Sequence, residues 1–393
     1  MQQQHGSPLN TRKGVTFIMS QTKREIGLAI VGCGTIGRIR AMIARAYPGV
    51  VWLGLCDIKE HLAKKLAEDA HADFVTTDFR ELINRPEVTA VIIATDENCH
   101  FEPTMAAIER GVDLFIEKPL ATDVRQSATV LKAVEASGID ACMGYTNRFR
   151  RRFLTIKERI AEGRIGDVSC MVTRAFMNRM IPLATVRRTS DHTHLTPMVV
   201  SGTHSFDLSM WLMGNKKPIS VYAQASDKVL GVHGTKDSTF GVFTMEDGSI
   251  FSMNISWALP ETWPGAVYGI EMGIVGTKGV IDVDDTHRDL VLASLEPQGA
   301  SYKPDGFSPE GARYVDFLTS YPPGDICEGQ LWGPIREETN SWLAHLYTGM
   351  KTPHATVQDG HRNLLLTMAM DISCIRKQPL QLPLDLDEYY KDF

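Results

Sequence analysis

The sequence predicts a doubly wound α/β domain with a parallel sheet, followed by an α+β domain with a large, mostly antiparallel sheet. Up to about residue 145, short and continuous apolar runs alternate with helix-length amphipathic stretches. This alternation is typical of parallel strands that helices cover on both faces. Beyond that point, apolar and polar residues alternate with period two, which is typical of antiparallel strands with one solvated face.

Local signals predict four strands and two helices of the first domain. Pro103 suits the first position of a helix that Gly111 ends, and Asp123 is expected to cap a helix that closes at Gly138. The predicted strands are Gly27–Gly32, Val51–Cys56, Ala90–Ala94 and Val112–Ile116.

The second domain opens with a predicted helix over Arg151–Glu162. Asp247-Gly248 is a hairpin signal between two of the strands that follow. Helical periodicity returns at Leu364–Ile375, after a long region over Glu296–Pro334 that is expected to be irregular. The predicted strands are Val168–Ala175, Ile219–Ala223, Thr239–Met245, Ser249–Trp257 and Gly269–Val275.

Length and composition restrict the class of protein. The 393 residues are 43% hydrophobic and 22% charged, which is ordinary for a globular enzyme and excludes a disordered chain or a coiled coil. We expect an N-terminal extension over residues 1–24, a first domain over 25–145 and a second over 146–393. The net charge of −6 disfavours nucleic acid, and no apolar run approaches the ~20 residues that cross a bilayer. Seven scattered cysteines without a C-x-x-C pair indicate a reducing, cytoplasmic compartment.

A glycine motif follows the first predicted strand and opens the first predicted helix. Its first glycine permits a tight turn, its second lets a pyrophosphate approach the backbone, and its third lets helix and strand pack closely. The helix N-terminus offers free N–H groups to the phosphates. The motif therefore predicts a Rossmann dinucleotide site formed by Gly32, Gly34, Thr35, Ile36 and Gly37.

Asp57 ends the second predicted strand, at the distance from the glycines that a ribose-binding acid has in such sites. A carboxylate there accepts hydrogen bonds from the ribose hydroxyls and repels a 2′-phosphate. The expected cofactor is therefore NAD rather than NADP, although the nearby Lys59 weakens this exclusion.

Two further strings stand at predicted strand ends, where ligands of open α/β sheets bind. They are Thr95-Asp96-Glu97-Asn98-Cys99-His100 and Glu117-Lys118-Pro119, and Gly144-Tyr145-Thr146-Asn147-Arg148-Phe149 follows after the next segment. With these strings the chain resembles the GFO/IDH/MocA family, the glucose–fructose oxidoreductase and inositol dehydrogenase group. The family's T-P-N-x-x-H is matched in part, its E-K-P completely, and its G-[FY]-x-x-R-F completely.

The resemblance implies roles for these residues. Lys118 is expected to exchange a proton with a substrate hydroxyl, provided that burial and neighbouring charge tune its pKa. The peptide before Pro119 is expected to be cis, as it often is in this family. The implied cofactor contacts are Thr95, His100, Glu117, Lys118 and Arg148.

The second domain is expected to supply the partner of Lys118. The segment Val200-Ser201-Gly202-Thr203-His204-Ser205-Phe206-Asp207 resembles the family's D-x-G-x-H-x-x-D motif, with Val200 in place of the leading aspartate. The resemblance implies that Lys118 and His204 are the catalytic pair. Either the relay is reduced to these two residues, or another group completes it, such as the stretch from Asp191 to His194.

The remaining predictions concern the substrate site. His192 and His194 beside Asp191 could hold a metal ion, but hydride transfer with a lysine does not need one, and no metal is predicted. Arginines near Arg174 would suit a large or acidic sugar. The expected substrate contacts are Lys118, Tyr145, Arg148, Arg174, His194, Thr203, His204 and Asp207.

The resulting hypothesis is an NAD-dependent oxidoreductase acting on a secondary hydroxyl of a cyclic polyol or sugar, such as an inositol, a pyranose or a glycoside. One alternative is an enzyme that oxidises a glycoside transiently, eliminates the glycosidic bond and reduces the product again. Another is a non-catalytic NAD-binding sensor, which the substitution by Val200 keeps open. A homodimer or homotetramer is expected, because relatives commonly assemble and the second sheet has an apolar face.

Overall fold

The computed structural model describes residues 23–186, 195–265, 269–285, 290–298, 313–318 and 324–392. Two seven-stranded sheets organise this part of the chain. The predicted fold class is confirmed, since the first sheet is mostly parallel and the second mostly antiparallel.

The first sheet has the strand order β17-β6-β5-β4-β1-β2-β3, in which only the two-residue β17 runs antiparallel. Its order reverses between β1 and β4, and a ligand site is expected at the ends of these two strands. The elements are β1 (Ile26–Val31), α1 (Thr35–Arg45), β2 (Val50–Cys56), α2 (Glu60–Ala70), β3 (Phe74–Thr76), α3 (Phe79–Ile83), β4 (Ala90–Ile93), α4 (Phe101–Arg110), β5 (Asp113–Glu117), α5 (Val124–Ser137), β6 (Ala141–Gly144) and β17 (Ala355–Thr356).

The end signals of the helices act largely as predicted. Asp123 accepts a hydrogen bond from the Gln126 N–H at 2.8 Å, and Gly111 and Gly138 adopt the left-handed conformation that ends a helix. However, α4 begins two residues before Pro103. The short strands β3 and β6 were not predicted.

The second sheet has the order β12-β11-β7-β10-β9-β8-β18. Gly248 has a positive φ in the predicted hairpin between β9 and β10, whereas β10 runs parallel to β7. The elements are α6 (Arg151–Ala161), β7 (Val168–Asn178), α7 (Met180–Val186), a π-helix (Pro197–Gly202), α8 (Thr203–Leu212), β8 (Pro218–Ser226), β9 (Ser238–Met245), β10 (Ile250–Leu259), β11 (Gly269–Gly276), β12 (Gly279–Asp285), α10 (Val357–Arg376) and β18 (Leu380–Gln381).

One face of this sheet is buried and the other is exposed. The buried face packs against α8 and α10 around residues such as Phe206, Phe243 and Phe251. The opposite face exposes apolar side chains, among them Val172, Phe240 and Val242.

The region that was predicted to be irregular contains strands in the parts that the structure describes. The prediction was therefore wrong for those parts. It contains the last residues of β13 (Val291–Gln298), and all of β14 (Arg313–Phe317), β15 (Asp325–Cys327) and β16 (Gln330–Trp332). Helix α9 (Pro334–Thr348) follows and had no prediction. Its Trp342 and Leu343 are buried in the core of the first sheet, so the chain returns to that sheet before α10 begins.

All seven cysteines are free thiols. Within the described ranges, no helix combines the length and the hydropathy that crossing a bilayer requires.

Candidate active site

The glycine loop between β1 and α1 has the geometry that a dinucleotide needs. Gly32 has a φ of +101°, and a Cβ there would lie 2.4 Å from the Ala94 carbonyl oxygen. A Cβ on Gly37 would lie 1.9 Å from the Gly32 carbonyl oxygen, whereas one on Gly34 would meet no atom within 4 Å. The first and third glycines thus permit close packing, and the second faces open space beside the N-terminus of α1. Thr35 is exposed there and Ile36 is half-buried.

Asp57 lies at the end of β2 beside this loop. Its carboxylate accepts hydrogen bonds from the backbone N–H groups of Cys33 and Lys59, both at 2.8 Å. These bonds fix the carboxylate, and its other lone pairs remain able to accept ribose hydroxyls. Together, the open position at Gly34 and the fixed carboxylate fit a bound dinucleotide.

His100 connects the ends of β4 and β5. Its ring lies between two carbonyl oxygens, that of Pro119 at 2.7 Å from Nδ1 and that of Thr95 at 3.2 Å from Nε2. The side chain is buried, and the Lys118–Pro119 peptide is cis. His100 therefore positions the loop that carries Lys118, and its contact with the cofactor stays a prediction.

Glu117 belongs to a buried ion-pair cluster. It accepts from Arg40 Nε of α1 at 2.6 Å, and Arg40 also donates to Glu338 and Thr339 of α9, both at 2.7 Å. The carboxylate is thus paired within the protein, and its contact with the cofactor stays a prediction. Neither Arg40 nor Glu338 was predicted. The position of Arg40 on the buried face of a helix, beside Gly37 and Ala41, was the available signal.

Lys118 follows directly and is half-buried. Its Nζ donates to the Val200 carbonyl oxygen at 3.4 Å. Val200 lies in the π-helix that leads into α8. The contact therefore joins the domain of the first sheet to the domain of the second sheet. The structure thereby brings the predicted lysine to the motif that holds the predicted histidine.

His204 lies in the first turn of α8. Its ring packs edge-on against Tyr145, with 6.1 Å between centroids. Burial, followed by the charges of Lys118 and Arg150, holds the pKa of His204 well below its ordinary value. The imidazole is therefore neutral near pH 7, and its Nδ1 is buried without a hydrogen-bond partner among the described residues.

Tyr145 and Thr203 support this histidine from behind. Their hydroxyl oxygens are hydrogen-bonded at 2.8 Å, and both side chains are almost completely buried. In this arrangement they support His204, and the substrate contacts of Tyr145 and Thr203 stay predictions.

Arg148 and Asp207 form a second buried cluster. Arg148 makes two hydrogen bonds to Asp207, at 2.6 and 2.7 Å, and one to Asp359 of α10 at 3.0 Å. Asn363 donates to Asp207 at 3.0 Å. These groups satisfy one another within the protein, and their contacts with substrate and cofactor stay predictions. The cluster fastens α8 to α10.

Arg174 lies away from the site. It is an exposed residue of β7 and pairs with Glu271 of the neighbouring β11. Because adjacent strand residues point to opposite faces, Arg174 faces away from α8, toward which Thr173 points. The structure thus places Arg174 outside the site formed by Lys118 and His204, and its contact with substrate stays a prediction. His194, like Asp191 and His192, lies outside the described residues.

Strand order and site together define a nicotinamide-dependent oxidoreductase of the dehydrogenase class. The chain belongs to the GFO/IDH/MocA family. The family's oxidoreductase domain with an NAD-binding Rossmann fold matches residues 26–145, and its C-terminal domain matches residues 153–282.

Individual relatives cover most of the chain at low identity. The myo-inositol 2-dehydrogenase of Thermotoga maritima is 24% identical over 361 residues, which are 90% of this chain and 98% of the relative. The 2,7-anhydro-N-acetylneuraminate hydratase of Mediterraneibacter gnavus is 27% identical and covers 66% of this chain and 68% of its own. A scyllo-inositol dehydrogenase structure from Lactobacillus casei, with NAD(H) and scyllo-inositol, has a TM-score of 0.70 at 17% identity and covers 91% of this chain and 99% of its own.

The glycine loop yields a paired prediction. Gly34→Val places a side chain in open space, so we expect the melting temperature to change by less than about 2 °C, while NAD affinity falls about tenfold or more because the pyrophosphate loses its approach to the backbone. Gly37→Ala drives a methyl group into the Gly32 carbonyl and should destabilise the fold by about 1–3 kcal/mol. Calorimetric titration measures the NAD affinity of each variant, and thermal unfolding measures its stability. Unaltered NAD binding by Gly34→Val would refute the cofactor placement.

The buried cluster around Arg148 gives a second testable prediction. Asp207→Ala leaves a buried guanidinium partly uncompensated and should lower the free energy of unfolding by about 3–5 kcal/mol in urea titrations. Asp387→Ala, which breaks the exposed pair with Arg125, serves as the control and should leave stability unchanged. If Asp207→Ala keeps full stability and instead raises the KM for substrate, the side chain has the binding role that the sequence predicted.

Proposed function

We propose that this protein is an NAD-dependent dehydrogenase that oxidises a secondary hydroxyl of a cyclic polyol or sugar. One observation carries the proposal: Lys118, at the end of β5, contacts the segment that presents His204 from the other domain. A cofactor at the glycine loop would lie beside the same strand ends. The relatives named as inositol dehydrogenases support the substrate class.

The two residues have different roles in this arrangement. Neutral His204 accepts the hydroxyl proton, and the Lys118 ammonium stabilises the negative charge that develops on the substrate oxygen. This reverses the emphasis of the sequence-based hypothesis, in which Lys118 removes the proton with the help of His204. Bound NAD⁺ supplies the hydride acceptor.

NAD is the proposed cofactor rather than NADP. The support is the Asp57 carboxylate, which is fixed beside the glycine loop by two backbone N–H groups. Lys59 forms one of these bonds through its backbone and is exposed, so its ammonium is free to move toward or away from an added phosphate.

The proposal also includes an oligomeric state and a cellular compartment. The exposed apolar face around Val172, Phe240 and Val242 supports a homodimer or homotetramer in which a second subunit covers it. The free thiols support a reducing, cytoplasmic location.

A second candidate function is transient oxidation. The observation that favours it is the relative named as a hydratase, since hydration produces no net oxidation although the family binds NAD. Such an enzyme would cleave or rearrange a glycoside without accumulating NADH. A sensor without catalysis is less well supported, because Lys118 and His204 are both present and adjacent.

The first test is nicotinamide absorbance with NAD, and separately with NADP, across inositols, free sugars, sugar acids and glycosides. We expect NADH from one class of cyclic substrate. Lys118→Met should lower kcat by about a hundredfold or more, because the developing alkoxide loses its charge partner, while NAD still binds. Lys132→Met, on the exposed side of α5, is the control. Product release without NADH would favour transient oxidation, and undiminished turnover by Lys118→Met would overturn the proposed mechanism.

The pH dependence tests the role of His204. Burial and the two cations favour the neutral imidazole, so its protonation, and the acidic fall of kcat/KM, should occur well below pH 6.5. Arg150→Gln removes one cation and should move this fall to higher pH by about 0.5–1 unit. Arg151→Gln, on the exposed side of α6, should leave the profile unchanged. Identical pH profiles of kcat/KM for the wild type and Arg150→Gln would contradict the assignment of His204 as the proton acceptor.

A further inference from the structure

Glu338 is a completely buried carboxylate that takes no part in the proposed reaction. It lies on α9, the helix whose apolar residues pack in the core of the first sheet. Among the described residues, both hydrogen bonds of its side chain converge on one atom. Glu338 Oε2 accepts from Arg40 Nη2 at 2.7 Å and from Thr146 Oγ1 at 2.9 Å. This single oxygen therefore holds two segments that are distant in the chain.

The bond from Arg40 leads to Lys118. The guanidinium is held at three places, since Nε donates to Glu117, Nη1 to Thr339 and Nη2 to Glu338. Without the bond at Nη2, the guanidinium is able to turn toward its remaining carboxylate and draw it inward. That carboxylate belongs to Glu117, and Lys118 is the next residue. A shift of the guanidinium therefore changes the position of the ammonium.

The bond from Thr146 leads to His204. Thr146 directly follows Tyr145, whose ring packs edge-on against His204 with 6.1 Å between centroids. The Tyr145 hydroxyl is also hydrogen-bonded at 2.8 Å to Thr203, the residue before His204. The acceptor that holds Thr146 in place therefore also fixes the ring on which the imidazole packs.

The cluster contains one arginine and two carboxylates. Burial raises the pKa of Glu338 to about 7 against the effect of Arg40, and the charge of Glu117 adds to the increase. The neutral form of Glu338 is therefore accessible near neutral pH, where Arg40 keeps Glu117 as its counter-charge. An acceptor oxygen at this position, rather than a full negative charge, meets the needs of both donors.

We propose that Glu338 is a positioning residue of the dehydrogenase, which fixes Lys118 and His204 relative to each other by holding two segments on one oxygen. It acts through Glu117 on one side and through Tyr145 on the other. The inference rests on the proposed function, because it concerns the alignment of the catalytic pair proposed above.

Three variants separate alignment from stability. Glu338→Ala removes the shared acceptor and should lower kcat by about tenfold or more, because small misplacements of reacting groups are costly. Glu338→Gln keeps a carbonyl oxygen for both donors and should retain kcat within about threefold. Leu343→Ala, in the core beside the same helix, is the control. It should lower the melting temperature at least as much as Glu338→Ala and leave kcat unchanged.

A double-mutant cycle tests whether the two bonds act through the same oxygen. Thr146→Val removes the hydroxyl at similar size and should lower kcat by about threefold. In the background of Glu338→Ala, the same change should have no further effect, because its acceptor is already absent. Independent, multiplying losses of kcat would contradict the link.

Chemical labelling gives a readout that does not depend on turnover. Lys118 is half-buried and its Nζ donates to the Val200 carbonyl oxygen, so acetic anhydride should acetylate it more slowly than the exposed Lys132. Mass spectrometry measures the ratio of the two rates. Glu338→Ala should raise this ratio severalfold, whereas Leu343→Ala should leave it unchanged.

The outcomes distinguish this inference from the proposed function. Wild-type kcat in Glu338→Ala, or equal losses of kcat in Glu338→Ala and Leu343→Ala, would overturn the inference and leave the dehydrogenase intact. A Glu338→Gln variant as impaired as Glu338→Ala would also contradict the role of the acceptor oxygen. If Glu338→Ala does not fold, Thr146→Val and Glu338→Gln decide. If the wild type forms no NADH with any substrate, the proposed function fails, and the labelling ratio decides the positioning.

Discussion

Compensation of buried charge is the constraint on which this site depends. An ionised group that leaves water without a partner costs several kcal/mol, and the structure buries two arginines completely or almost so. Arg40 reaches Glu338 across 298 residues of sequence, and Arg148 reaches Asp359 across 211. Each pair therefore joins segments that are distant in the chain. The first holds α9 on the Rossmann helix α1, and the second holds α10 against the segment that leads into α6.

These pairs determine where the reacting groups lie. Glu117 is held by Arg40, and the next residue is Lys118. Asp207 is held by Arg148, and it lies one helical turn after His204 on α8. Each residue of the proposed catalytic pair is thus placed by an adjacent carboxylate that is itself fixed by an arginine.

Much of the fold could be predicted because its signals are local. The glycine motif, the cap at Asp123 and the Asp247-Gly248 turn each depend on a few consecutive residues, and all three formed as expected. What was missed depends on distant partners. Strand β6 is only four residues long and pairs with β5 and β17. Helix α9 packs in the core of the first sheet, whose strand β6 ends 190 residues before α9 begins.

The same difference between local signals and distant partners applies to the residues of the site. A motif indicates that Arg148 and Asp207 matter, but it does not show whether such charges face a ligand or each other, since that depends on Asp359 and Asn363. Lys118 presents the opposite case. Its position at a strand end was predicted, while its lack of a carboxylate partner in the described structure follows from where the other charges are committed. The valine at position 200, which in sequence suggests a lost catalytic group, leaves the Lys118 Nζ with a backbone carbonyl oxygen as its acceptor among the described residues.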